Sequence, residues 1–196
     1  MKIVALAAAA LMLAGAAKAQ TPSIAKNPAG GISANQKGQP MKILVVYYSR
    51  TGNTKKVCQE LAARLGADCE EIIDTKSRSG IWGYLMGGRD AAKKTPAVIK
   101  PVKYDPGQYD LVVIGTPVWV GTMPPAIRTY IAGNNDKLKN VAYLCTMGGR
   151  GGDKTILAME EQSGKKGTAS LILLTKEIQK DQYSEKLNQF AAQLKQ

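Results

Sequence analysis

The sequence predicts an α/β fold: a doubly wound, five-stranded parallel sheet with helices on both faces. Three observations lead there. Strand-like and helix-like patterns alternate from residue 42 onward. The strand-like segments are near-continuous apolar runs, as expected of strands covered on both faces. Three of these runs end in loops rich in hydroxyl groups or glycine, which suits a ligand site at the carboxyl edge of such a sheet.

The first strand is expected near 42–48, where Ile43-Leu44-Val45-Val46-Tyr47-Tyr48 is almost wholly apolar. A helix near 53–65 follows, because Val57, Leu61 and Leu65 recur at i, i+4, i+8 with Cys58 and Ala62 beside them. Further strands are expected near 69–73, 110–115, 141–146 and 168–174. Further helices are expected near 84–94, 124–133, 153–162 and 183–195. In the last of these, Leu187, Phe190, Ala191 and Leu194 form an i, i+3, i+4, i+7 stripe suited to packing on the sheet. Residues 75–104 are the least regular part, mixing Gly80, Gly83, Gly87 and Gly88 with Ile81, Trp82, Tyr84, Leu85 and Met86. Two readings of this segment stay open: it caps the sheet as packing, or Trp82 or Tyr84 edges a ligand or meets a partner.

The segment preceding the domain reads differently. Lys2 supplies a short positive region, Ile3 to Ala17 is apolar and alanine-rich, and Ala17-Lys18-Ala19 forms a small-x-small cleavage site before Gln20. These regions in this order are expected of a secretory signal peptide, residues 1–19, with a periplasmic or secreted product. The alternative start is Met41, which would leave the protein cytoplasmic. The leader is too short for a comfortable transmembrane segment, no later segment is apolar enough for one, and no cysteine stands at the cleavage site for a lipid anchor. Residues 20–40 hold Gly, Pro, Ser, Asn, Gln and Lys with only Ile24 and Ile32 as sizeable apolar side chains, a flexible tether. Residues 41–196 make one domain large enough for a full core.

Twenty-seven Lys and Arg against 15 Asp and Glu give a net charge of +12, and removal of the leader with its two lysines leaves +10. Such a surface favours acidic partners or anionic membranes; the alternative is solvated lysine that keeps an exported protein soluble. The basic residues are scattered without a nucleic-acid-binding motif, so nucleic acid is not an expected partner. There is no histidine, which excludes His-dependent triads and His metal ligands. Cys58, Cys69 and Cys145 show no metal-site spacing, and buried free thiols are expected, with a Cys58–Cys69 bridge as the alternative. No catalytic side chain or metal site is expected; chemistry here would be carried by a borrowed cofactor.

The loop Ser49-Arg50-Thr51-Gly52-Asn53-Thr54 joins the first strand to the first helix. Its N–H groups and the positive helix end converge on one spot, the hydroxyls add donors, and Gly52 permits close approach, so it suits an anion. A capped helix after a strand is the alternative, since Asn and Thr are ordinary capping residues. A second loop, Gly115-Thr116-Pro117-Val118-Trp119-Val120-Gly121-Thr122-Met123-Pro124-Pro125, follows the run 111–114. A third, Thr146-Met147-Gly148-Gly149-Arg150-Gly151-Gly152, follows the run 141–145.

The motif Ser-x-Thr-Gly-Asn-Thr at 49–54 resembles the FMN phosphate loop of the flavodoxin family. With the two further loops in order, the likeness runs from about Met41 to the C-terminus. It looks most similar to short bacterial flavodoxin-like proteins with a G-T-P-V-W-x-G-T-x-x-P-P segment. The resemblance implies strand order 2-1-3-4-5 and non-covalently bound FMN, since no Ser/Thr-Gly-Ala-Thr segment for covalent attachment is present. It implies that Ser49, Thr51, Gly52, Asn53 and Thr54 hold the phosphate. Arg50 occupies the loop's variable position, where it points away or adds charge. Thr116, Pro117, Val118, Trp119 and Gly121 would line the ring and ribityl chain, with Trp119 stacking; a core tryptophan beside Pro124-Pro125 is the alternative. Thr146, Met147, Gly148 and Gly149 would offer backbone groups to the ring edge, or form a plain glycine-rich turn.

Two departures from well-known flavodoxins bear on function. Residues 146–152 contain no aromatic, and this chain is basic where those proteins are acidic. Both shift weight from a low-potential carrier toward a reductase of quinone-like acceptors, or a shuttle for acidic or membrane-bound redox partners. Three functions therefore compete: an electron-transfer flavoprotein, an FMN-dependent NAD(P)H or quinone oxidoreductase, and a flavin-free binding protein on the same fold.

Overall fold

The computed structural model describes residues 40–76 and 80–195, and the backbone alone for residues 80–85. The leader and all but the last residue of the tether lie outside the described residues, as do the side chains of Trp82 and Tyr84.

The elements run β1 (Ile43–Tyr47), α1 (Asn53–Leu65), β2 (Asp68–Glu71), α2 (Gly80–Ala92), β3 (Leu111–Pro117), α3 (Pro125–Ala132), β4 (Asn140–Met147), α4 (Gly152–Ser163), β5 (Ser170–Leu174), α5 (Thr175–Gln179) and α6 (Ser184–Gln193). A 3₁₀ turn at Pro106–Gln108 precedes β3. The five strands form one sheet in the order β2-β1-β3-β4-β5, every pairing parallel. The expected fold class and strand order are thus observed.

Alternation along β1 shows how the sheet is covered. Ile43, Val45 and Tyr47 pack with Val57, Cys58 and Leu61 of α1 and with Leu187, Phe190 and Ala191 of α6. Leu44 and Val46 pack on the other face with Ile127, Tyr130 and Ile131 of α3 and with Ile156 and Met159 of α4. Both faces are fully apolar, which is why the strand reads as a continuous run rather than an alternating one. Leu61 is completely buried, so truncation to alanine would cost about 2–5 kcal/mol.

The same two layers create the site. β1 lies beside β3, yet the chain leaves β1 for α1 on one face and leaves β3 for α3 on the other. The connections part at the carboxyl edge and open a crevice between them.

Some boundaries differ from the sequence expectation. β2, Asp-Cys-Glu-Glu, is half-buried and paired only with β1; edge position rather than an apolar run makes it a strand. α2 begins four residues earlier than the expected 84, at Gly80. The short α5 was not expected: its entry is held by the Glu177 carboxylate, which accepts from the Leu174 N–H at 2.9 Å, a contact of too few residues to give a periodic signal. Cys58, Cys69 and Cys145 are all free thiols, the first and last buried.

Candidate functional site

The loop after β1 turns through Gly52, whose φ of +89° is easy only for glycine. The Gly52 N–H donates to Ser49 Oγ at 3.2 Å, and Asn53 Nδ2 donates to Thr51 Oγ1 at 3.2 Å, so the loop braces itself. Thr51 and Gly52 are exposed, Ser49, Arg50 and Asn53 half-buried. A Cβ on Gly52 would meet no atom within 4 Å, so the backbone there faces open space. Gly52 is also the cap residue just before α1, and it supplies no side-chain cap; no acidic residue stands in the first turn. The helix therefore presents its positive end without an internal acceptor at the cap.

Thr54 differs from its loop neighbours. It is 2% exposed, and its hydroxyl lies 2.8 Å from that of Thr146, the latter 4% exposed, at the end of β4. The first and third loops are joined by this buried pair.

The second loop leaves β3 through Thr116, fully buried with its hydroxyl donating to the Pro117 carbonyl at 3.0 Å. The Val118 N–H donates to the Thr146 carbonyl at 2.9 Å, tying this loop to the third. Trp119 and Thr122 then exchange backbone hydrogen bonds at 2.8 and 3.0 Å. Between them Val120 and Gly121 both have positive φ, +49° and +73°, the signature of a type I′ turn. A β-branched residue resists that conformation, at a cost on the order of 1–3 kcal/mol. Val120 is 71% exposed, so no burial of its side chain offsets the strain.

The Trp119 indole is half-buried. It meets Tyr48 edge-on at 5.6 Å between ring centroids, with 81° between planes. Its six-membered ring also lies on the backbone of α2: a Cβ added to Gly87 would stand 2.7 Å from it. Glycine at 87 is what admits the ring. Tyr48 follows β1, so this contact joins the second loop to the first.

The third loop holds half-buried Met147, then Gly148 and Gly149, where a Cβ would meet nothing within 4 Å. At Gly151, φ is +95° and a Cβ would lie 2.9 Å from Gly121 Cα, so the second and third loops touch backbone to backbone. Val120, Gly121, Arg150, Gly151 and Lys154 line a cleft of about 440 Å³ beside this contact.

All fifteen sequence-expected positions thus lie at the carboxyl ends of β3 and β4, in the loops that follow β1, β3 and β4, or in the first turn of α1, cross-linked by the Thr54–Thr146, Val118–Thr146 and Tyr48–Trp119 contacts. Sequence reasoning placed Gly151 in the third loop without a role and missed Tyr48, Gly87 and Lys154; Gly87 gave no signal apart from its place among other glycines. Burial pushes the Cys58 and Cys145 thiols well above the usual range, so both stay protonated. Among the described residues no group of three His, Cys, Asp or Glu side chains could hold a metal.

Comparison with known proteins bears on this arrangement. Residues 42–190 match the family described as flavodoxin. No curated protein sequence matches the chain. Among solved structures, the flavoprotein of Lactobacillus acidophilus NCFM in complex with FMN superposes with a TM-score of 0.60 at 22% identity, covering 71% of this chain and 97% of that one. A chain described as a flavoprotein of Bacteroides eggerthii DSM 20697 gives 0.58 at 27% identity, covering 77% and 98%. The Trp repressor binding protein of Bacillus subtilis shares the fold, with a TM-score of 0.53 at 14% identity over 79% of this chain and all of its own. With its parallel sheet in the order 2-1-3-4-5, its three cross-linked loops and a family match across almost the whole described domain, this chain belongs to the flavodoxin family.

Proposed function

We propose that the protein binds one FMN non-covalently at the three-loop edge and serves in electron transfer. The observation that carries this is the convergence of the three loops, with open space beside the backbone at Gly52, Gly148 and Gly149. The residues present fit the group. The positive, side-chain-uncapped start of α1 and the exposed Thr51 hydroxyl suit a phosphate. Trp119 supplies an aromatic surface held in place by Tyr48 and Gly87, and the open glycines at 148 and 149 leave backbone groups accessible to a ring edge. Bound FMN would supply the redox chemistry; the chain's residues bind it, orient it and set the charge around it.

The electron partner in this reading is an acidic redox protein, or a small quinone-like acceptor. Arg150 and Lys154 line the cleft beside the second and third loops, and exposed Val120 stands at its rim. A second reading, an FMN-dependent NAD(P)H or quinone oxidoreductase, is favoured by the third loop, which brings glycines and no aromatic ring and so leaves one side of the site open. Anaerobic mixing of FMN-loaded protein with NADH or NADPH separates the two. A carrier is reduced slowly and turns over poorly; steady turnover with a quinone would establish the oxidoreductase and refute the carrier.

Export belongs to the same proposal. The tripartite leader and the polar tether support a periplasmic or secreted protein beginning at Gln20. N-terminal sequencing of native protein tests this, and a cytoplasmic protein starting at Met41 would overturn it.

A further inference from the structure

A second cleft lies between the end of α2 and the facing sides of α3 and α4. Lys94, Arg128, Ala158, Glu161 and Gln162 line it, and its volume is about 280 Å³. Arg128 of α3 is only 8% exposed. Its Nη1 donates to Gln162 Oε1 at 3.1 Å and its Nη2 to Thr122 Oγ1 at 3.4 Å, both neutral acceptors. Its Nε is buried and has no hydrogen-bond partner. No ion pair to Arg128 exists among the described residues.

A buried guanidinium normally has a carboxylate beside it, because burying a charge with neutral partners alone is costly. Here that partner is missing. Burial lowers the proton affinity of Arg128 and no acid restores it. Glu161, the one carboxylate lining the cleft, is exposed and forms no hydrogen bond to the guanidinium. Lys94 adds a second positive charge, and its φ of +55° marks the reversal of the chain that carries it there from α2. Among the described residues lining it, the cleft therefore offers two cations against one carboxylate, a guanidinium bonded only to neutral acceptors, and room below that of an ordinary cofactor site.

We propose that this cleft binds a small oxyanion, a carboxylate or phosphate group on a small molecule, with Arg128 as the principal ligand and Lys94 assisting. The site is coupled to the three-loop edge: Thr122, which accepts from Arg128, also closes the turn that carries Val120 and Gly121 through its two backbone bonds with Trp119. An anion that draws Arg128 away from Thr122 changes the restraint on that turn.

The test uses the full chain, titrated by calorimetry with sodium phosphate and with sodium malonate at constant ionic strength, with and without added FMN. The expected result is saturable binding of one anion per FMN-loaded chain, with a further phosphate, but not this one, displaced from the loop after β1 when FMN is added. Gln162→Glu places a carboxylate beside Nη1, and it should weaken the anion at least about tenfold while raising the melting temperature of the free protein. Thr51→Asp, in the loop after β1, should leave this binding intact. Three outcomes would overturn the proposal: no saturable binding of either probe, binding unchanged in Gln162→Glu, or binding abolished by FMN or by Thr51→Asp. The last would place the anion in the phosphate loop instead, and so bears on the two sites separately.

Discussion

Replacing Thr54 and Thr146 with valine, singly and together, probes how the site is held. The two hydroxyls are 2.8 Å apart, in side chains 2% and 4% exposed, and each is the other's side-chain partner. Valine keeps the shape and removes the oxygen. Each single variant leaves one buried hydroxyl unpaired, which costs about 1–3 kcal/mol. The double variant leaves none unpaired, so its loss should be smaller than the sum of the two, with a coupling on the order of 1 kcal/mol. In a domain of this size each kcal/mol lowers the melting temperature by roughly 2–4 °C. Urea unfolding of the four proteins gives the cycle directly. FMN affinity should follow the same pattern, because the pair joins the first turn of α1 to the end of β4. Strictly additive losses would refute the reasoning, since they would mean that the hydroxyls do not depend on each other in the folded protein.

Other perturbations reach the remaining parts of the site. Thr51→Asp with Gly52→Val should abolish FMN binding, by charge repulsion and by forcing a β-branched residue to φ +89°; retained tight binding in a fluorescence titration would show the phosphate loop to be misplaced. Val120→Asn should raise stability by roughly 1 kcal/mol in urea unfolding, because asparagine accepts positive φ where valine resists it. The Lys186 ammonium and then the Leu174 N–H hold the Glu177 carboxyl below its ordinary range. A lowered folded-state value means that this stabilisation is fully present above the ordinary glutamate range and is lost as pH falls through the lowered value. Glu177→Gln should accordingly flatten the acid limb of the stability curve and leave neutral pH less stable. The net charge of +10 left after removal of the leader predicts that reduction of an acidic protein acceptor slows as salt rises, while reduction of a small neutral quinone does not; equal salt response for both would remove charge steering from the account.

The legibility of this chain depends on what each residue reports. β1 and α1 were readable because buried strands and one-sided helices write their burial into the order of residues: Ile43 to Tyr47 without a break, then Val57 and Leu61 one turn apart. β2 is only partly readable, since an edge strand of Asp68, Cys69, Glu70 and Glu71 owes its form to backbone pairing with β1. The three loops were found from hydroxyl and glycine content after apolar runs. The contacts that unite them, Thr54 with Thr146 and Tyr48 with Trp119, span 92 and 71 residues and depend on how the layers close. Arg128 could not be read at all. In sequence it is one cation among 27, and only the closing of α3 against α4 buries it.

The central claim is that the three-loop edge holds FMN. Its most direct measurement is the visible absorbance spectrum of the protein purified in its native form, followed by denaturation and mass analysis of any released cofactor. The account predicts a yellow protein that releases one FMN per chain. A colourless protein that takes up no added FMN, with its fold intact by circular dichroism, would contradict it.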